Sequence, residues 1–212
     1  MNAAGWIEIL LFIALLTALT PVIGGYMARV FRGEVTTLGC VERPLYRLLG
    51  VDAARGQDWK AYARSVLIVS VGFGVLLYAI VRAQGLLPLN PQNLGAPPWD
   101  LSFNTAASFL TNTNWQYYAG ETTVSSFTQM AGLAVQNFIS AGVGIAVVAA
   151  FVRALASRSG REIGVFYVDL TRAILYLLLP LAIVVGLVLM SQGGAPSFCG
   201  LSGSRPCART IA

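Results

Sequence analysis

The chain of 212 residues is 56% hydrophobic and 11% charged, with a mean hydropathy of +0.69 and a formal net charge of +5. Soluble domains carry about a quarter charged residues, so this composition excludes a soluble globular protein and points to an integral membrane one. There is no histidine to serve as general base or metal ligand, and Cys40, Cys199 and Cys207 make no metal-site spacing; no GxxxxGK(S/T) run offers a phosphate loop for ATP hydrolysis.

Gly5 to Met27 is apolar apart from Glu8 and Pro21, long enough to cross a bilayer core of about 30 Å. Met1 to Gly5 carries no positive charge and the run is too long for a cleaved signal peptide, so it reads as a retained helix. Pro21, near its inner end, is expected to bend it or loosen one backbone bond. Arg29 to Lys60 is polar and mixed in charge. A second span is predicted from Ala61 to Val81, with Arg64 snorkelling at its start and Gly72 and Gly74 as small packing positions. Leu86 to Trp99 holds Pro88, Pro91, Pro97 and Pro98 and reads as an uncharged irregular loop.

Asp100 to Glu121, DLSFNTAASFLTNTNWQYYAGE, is too polar to face lipid, yet it lies between two apolar spans. Phe103 to Leu110 suits about two helical turns, with Asp100 or Ser102 as N-cap. The polar run Thr111-Asn112-Thr113-Asn114-Trp115-Gln116 follows. A short helix and a polar strand between two spans is the layout of a re-entrant pore loop, since irregular backbone survives at membrane depth only where protein buries it or water and ions line it. The C-terminal end of the short helix would favour a cation beside the strand, whose carbonyls would replace the ion's water shell. An outer loop merely rich in Asn and Thr fits the same pattern.

A third span is predicted from Phe127 to Val152, with Gly132, Ala141, Gly142 and Gly144 as a smooth contact face. Gln129 and Gln136, seven apart on it, are expected to pack and bond across helices rather than line a pore. A fourth span runs from Ile163 to Met190, kinked at Pro180. Asp169 and Arg172, three apart, are expected to pair, with a role in ion passage as the alternative. Residues 29–64 hold seven Lys/Arg and 153–172 hold four of the fourteen, so the positive-inside rule places these loops in the cytoplasm and both termini outside. That placement explains the net charge without nucleic acid. Trp6, Trp99, Tyr117 and Tyr118 are expected as interface anchors. Glu121 is either a cation attractor at the outer mouth or a solvated loop acid.

The TNTNWQYYAGE run, the helix FTQMAGLAVQNFISAGVGIAVVAAFVRAL, and the stretches TPVIGGYMARVF and RPLYRLLGV together resemble the potassium-binding A subunit of the bacterial Kdp potassium-transporting ATPase. The likeness covers roughly residues 1 to 195. It implies an all-α integral membrane protein with four transmembrane helices, one re-entrant pore helix and a filter loop. Its expected parts are an extra N-terminal helix (1–28), a cytoplasmic loop (29–60), a first helix–pore loop–helix repeat (61–152, filter 111–116), a second cytoplasmic loop (153–162), the start of a second repeat (163–190) and an external tail (191–212). Thr111, Asn112, Thr113 and Asn114 would be one of four potassium-binding filter strands, with Trp115 and Gln116 adjacent.

The likeness further implies a non-hydrolytic subunit of the bacterial inner membrane, with its N-terminus outside. It would take external potassium through the filter into an intramembrane tunnel leading to an ATP-hydrolysing B subunit, with C and F subunits completing the complex. The family's subunit is far longer, and the tail from about Gly194 departs from its outer loop, so a cut-short product or altered gene end is expected; Cys199 and Cys207 are a possible external disulfide. A homotetrameric channel-like assembly, or a small membrane protein without transport activity, are the alternatives.

Overall fold

The computed structural model describes residues 3–156 and 162–192, and every regular element among them is helical. Arg158, Arg161, the Cys199–Cys207 pair and the tail lie outside the described residues. Four helical stretches are long and apolar enough to cross a membrane: Gly5–Arg32, Trp59–Leu86, Thr128–Ala156 and Phe166–Ser191. Each predicted span is present, with its ends displaced by a few residues.

Helix α1 (Ala3–Arg32) runs through Pro21. The polar stretch after it contains a short helix, α2 (Gly39–Leu48), that hydrophobic patterning did not reveal. Helix α3 (Trp59–Ala83) starts where Asp58 Oδ1 accepts from Ala61 N at 2.8 Å, a side-chain cap on the first turn. Helix α4 (Trp99–Leu110) and the single turn α5 (Gly120–Thr123) belong to the polar insertion. The third span begins as a π-helical turn, Thr128–Ala134, and continues as α6 (Val135–Ala156). The fourth is α7 (Phe166–Arg172), a π-helical segment Ala173–Leu178, and α8 (Leu179–Ser191).

The distortion expected at Pro180 takes the form of that π segment just ahead of it. Proline has no N–H, so the Tyr176 carbonyl one turn earlier loses its α-helical donor. The Tyr26 hydroxyl donates to that carbonyl from α1 at 3.0 Å, and the Tyr176 hydroxyl accepts from Leu38 N at 3.0 Å. The first of these bonds holds α1, and the second the start of α2, against the fourth span.

Of three apolar clusters among the described residues, two bind α3 to the elements that follow it. Leu77, Val81, Ala106, Phe109, Val124 and Leu133 join α3, α4 and the start of the third span. Tyr62, Ala146, Ala150, Phe166 and Leu170 join α3, α6 and α7. Of the small residues expected at contacts, Gly74 faces Leu110, Gly132 faces Leu77 and Gly142 faces Leu170. Gly72 and Gly144 have open space where a side chain would stand, so two of the expected packing glycines are not packing positions in this chain.

The expected Asp169–Arg172 pair does not form. Asp169, only 2% exposed, takes the Arg153 guanidinium in a fork, with Nη1–Oδ2 at 2.6 Å and Nη2–Oδ1 at 2.7 Å. Arg172 turns the other way, with Nη1 at 3.5 Å from Phe31 O and Nε at 3.9 Å from Glu42 Oε1. The reason is geometric: a carboxylate facing α6 reaches a planar bidentate donor there, and two parallel N–H···O bonds outweigh one contact along its own helix. Arg153 also donates to Ile163 O at 3.0 Å and Phe31 O at 3.3 Å, and the Tyr62 hydroxyl lies 3.1 Å from Asp169 Oδ2. Phe31 O sits at the C-terminal end of α1, where a cation is favoured by the helix dipole. Gly164 allows the close approach: its φ is +109°, and a Cβ there would stand 2.2 Å from Arg153 Nη1.

Candidate functional site

Helix α4 starts four residues before the predicted position, and neither Asp100 nor Ser102 caps it. The N-cap is Pro98, and Ser102 Oγ donates back to Pro98 O at 2.9 Å. Pro97 and Pro98 end the extended loop and need no N–H partner there. Arg82 Nη1, in the last turn of α3, donates to Pro97 O. At its other end, Leu110 packs on Gly74, near the middle of the span Trp59–Leu86. The helix therefore starts level with the end of the second span and stops level with its middle.

The chain then turns back. Asn112 takes φ +57°, Phe109 O accepts from Asn112 N at 3.3 Å, and Ser108 O accepts from Thr113 N at 3.0 Å. This is a Schellman termination of α4 with Asn112 in the left-handed position usually held by glycine, which Asn tolerates better than other side chains. The turn does not stop there. Asn114 is left-handed too, at φ +56°, its N lies 3.3 Å from Ser108 O, and Trp115 N donates to Ser108 Oγ at 2.7 Å.

Three successive N–H groups, of Thr113, Asn114 and Trp115, thus point at Ser108. In a trans peptide the C=O lies opposite the N–H of the same unit. The carbonyls of Asn112, Thr113 and Asn114 are therefore turned outward, and among the described residues no donor bonds to them. The Thr111 and Thr113 hydroxyls stand 2.8 Å apart on the same strand. Below, Ser140 Oγ donates to Asn112 Oδ1 at 3.2 Å, and Ser140 lies near the middle of the span Thr128–Ala156. Asn112 is placed at mid-span by α3 and α6 alike.

Residues 111–115 are exposed, and they border two clefts. One is lined by Thr111, Asn112, Ser140, Gly144 and Met27, the other by Asn104, Asn114, Gln116 and Tyr118. Trp115 is 82% exposed, while Gln116 Oε1 is buried with no hydrogen-bond partner among the described residues. Trp99 and Tyr117 are exposed as expected of anchors, but Tyr118 is not one: it packs against the Leu77–Phe109–Leu133 cluster, and burial raises its phenol above the ordinary value.

The entry and exit of the insertion are tied by residues that sequence reasoning missed. Gln84, fully buried, donates to Gly95 O at 2.6 Å and Thr123 O at 2.9 Å and accepts from Ser125 N at 3.1 Å. Asn90 exchanges two 2.9 Å bonds with the Leu94 backbone, so the proline-rich loop is structured. Gln129 donates to Gly120 O and Val124 O, while Gln136 is buried inside the bundle, its carbonyl accepting from Ser140. The polar insertion thus enters and leaves at one end of the spans. Ser108, Ser140 and Gln84 looked like ordinary polar residues of apolar helices; a polar side chain one turn from a Thr/Asn strand was the only signal available.

The donor set is chemically uniform. Backbone carbonyls, two Thr hydroxyls and Asn amide oxygens are neutral, hard oxygens suited to a large monovalent cation that must shed water.

A family model described as Potassium-transporting ATPase A subunit matches residues 10–205, past Gly194, where the likeness was expected to fade. The potassium-transporting ATPase potassium-binding subunit of Rhodospirillum centenum is 54% identical over 202 residues, covering 93% of this chain and 35% of that protein. Those of Paramagnetospirillum magneticum and Sorangium cellulosum are 54% and 47% identical, covering 93% and 94% of this chain and, in both cases, 35% of their own lengths. The chain spans about a third of the length of these curated relatives.

Proposed function

The chain belongs to the family of potassium-transporting ATPase A subunits, and on that premise we propose that it forms the N-terminal part of a potassium-binding subunit in an ATP-driven uptake system of the bacterial inner membrane. Residues 1–28 are the extra helix, 61–152 the first helix–pore loop–helix repeat, and 163–190 the start of the second. Residues 111–116 are a filter strand that takes potassium from the outer side, with Thr111, Asn112, Thr113 and Asn114 presenting oxygens to the ion. Trp115 and Gln116 flank the strand. The arginine-rich ends face the cytoplasm and the N-terminus lies outside.

The observation that carries this reading is the direction of the strand's peptides. With the N–H groups of residues 113–115 used on Ser108, the carbonyls of 112–114 face away from the protein at mid-span, where water is scarce. Carbonyl dipoles at that depth need a cation or another donor. A dehydrated potassium ion needs oxygens on all sides, so this strand supplies one part of the site and further strands of the longer subunit supply the rest. The ion then passes by an intramembrane tunnel to a B subunit that hydrolyses ATP, with C and F subunits completing the complex.

The test is a chimera in which residues 1–192 replace the matching part of the Rhodospirillum centenum subunit, expressed with that organism's remaining ATPase subunits. Potassium-stimulated ATP hydrolysis is expected with the chimera. The double variant Asn112→Val/Asn114→Val should raise the potassium KM at least tenfold, because β-branched side chains resist the left-handed backbone that aims the carbonyls. An unchanged KM in an assembled complex would remove the strand from the ion's path.

A further inference from the structure

Helix termination explains only half of the strand. The Schellman turn accounts for Asn112 in the left-handed region and for Thr113 N on Ser108 O. It does not account for a second left-handed residue at Asn114, nor for Trp115 N, which lies beyond the reach of any helix-capping carbonyl bond. Both are accounted for by one atom: Ser108 Oγ, which accepts from Trp115 N at 2.7 Å, the shortest of the bonds holding the strand's amides.

Resting on the filter reading above, we propose that Ser108 is a positioning residue for ion selectivity, acting through the Asn114–Trp115 peptide. The hydroxyl clamps the N–H of that peptide inward and so fixes the Asn114 carbonyl outward. Neighbouring constraints do not replace it. Trp115 is 82% exposed, so its side-chain packing does not orient the peptide. Asn114 N is held only by a carbonyl that also accepts from Thr113 N and from the Thr111 hydroxyl, at 3.2 Å for the latter. Ser108 itself is steady: it is 9% exposed, within the last turn of α4 and next to Phe109 of the α3–α4 apolar cluster. Without the hydroxyl, the last peptide of the strand is free to rotate and present its N–H to the ion.

A peptide that flips acts on the geometry of the oxygen cage, not on the helix that carries it. The expected signature is therefore a loss of discrimination with turnover retained. In the assembled chimera, Ser108→Ala should raise the potassium KM about tenfold, the scale of one hydrogen bond to a desolvated group, and narrow the ratio of sodium KM to potassium KM by a similar factor, with kcat within twofold. Ser108→Thr keeps the hydroxyl and should restore both values. In the 212-residue chain itself, reconstituted in nanodiscs, the Trp115 amide should exchange with deuterium about tenfold faster in Ser108→Ala than in the parent or Ser108→Thr.

If Ser108→Ala leaves KM, discrimination and Trp115 exchange at parental values while Asn112→Val/Asn114→Val raises KM, the filter reading stands and the role of Ser108 falls. If neither set of variants moves KM, the filter reading falls and this proposal with it. If Ser108→Ala blocks assembly, the nanodisc exchange decides: unaltered Trp115 protection overturns the proposal, and selective loss at Trp115 upholds it.

Discussion

The third span carries polar partners at two depths, and the two are built in opposite ways. Ser140 touches the polar strand; Arg153, about 20 Å further along the helix, forks onto Asp169. Around Arg153 the polar atoms answer one another: the carboxylate, the Tyr62 hydroxyl and the Phe31 and Ile163 carbonyls lie within reach of the guanidinium or of each other. Around Ser108 the donors are consumed and the acceptors are left facing outward. A closed network fixes a structure, because every group already has its partner. An open one leaves acceptors without a partner among the described residues. The presence of polar atoms in a membrane span does not by itself distinguish the two; the direction of the leftover valence does.

The comparison breaks first at the closed end. Asp169→Ala leaves a half-buried guanidinium without its carboxylate and should cost about 3–5 kcal/mol, read as a lowered unfolding temperature of the chain in detergent. The double variant Arg153→Met/Asp169→Leu should recover most of that loss, since an apolar pair can replace a buried ion pair. A single variant as stable as the parent would show that the fork is ornamental. At the mouth of the open region, Gln84→Leu strands Gly95 O, Thr123 O and Ser125 N, and about 2 kcal/mol is expected from losing buried partners. Faster hydrogen exchange at Ser125, with the Arg153 end unchanged, would localise the effect. The smallest effect belongs to the strand itself. Asn112→Gly suits the left-handed turn and should leave stability within about 0.5 kcal/mol of the parent, so any change in potassium KM reads the loss of the Asn112 amide, its bond to Ser140 included, and not a loss of fold.

The four spans were legible because twenty-residue apolar runs have few alternative uses. The short helix of the insertion was legible from Phe103 to Leu110, and the polar run after it was set apart because Thr and Asn between two such runs are costly in lipid. The partner of Asp169 was not. Spacing in sequence reports neighbours on one helix, and Arg153 lies across a loop on another. Gly72 and Gly74 illustrate the same limit: both are small residues on one span, but only one points at α4. Nor does sequence reveal that a serine inside a helix end will govern a peptide seven residues later, since the bond exists only once the turn has formed. Tyr118 was misplaced for a related reason, because an aromatic at a span's edge packs inward when a neighbouring helix, here α4, offers it an apolar wall.

The attachment of α1 bears on the order in which the molecule is made. Its apolar window is wholly outside the bundle, and Val30 alone of its described side chains is fully enclosed. Its polar anchors, Tyr26 on Tyr176 and Phe31 O on Arg153 and Arg172, come from residues synthesised more than a hundred positions later. Helix α1 therefore lacks these anchors until the third and fourth spans have been made. One of its seats is the Tyr176 carbonyl vacated by Pro180, and that seat does not exist until the fourth span arrives. Among the described residues, the least attached helix is synthesised before the residues that hold it.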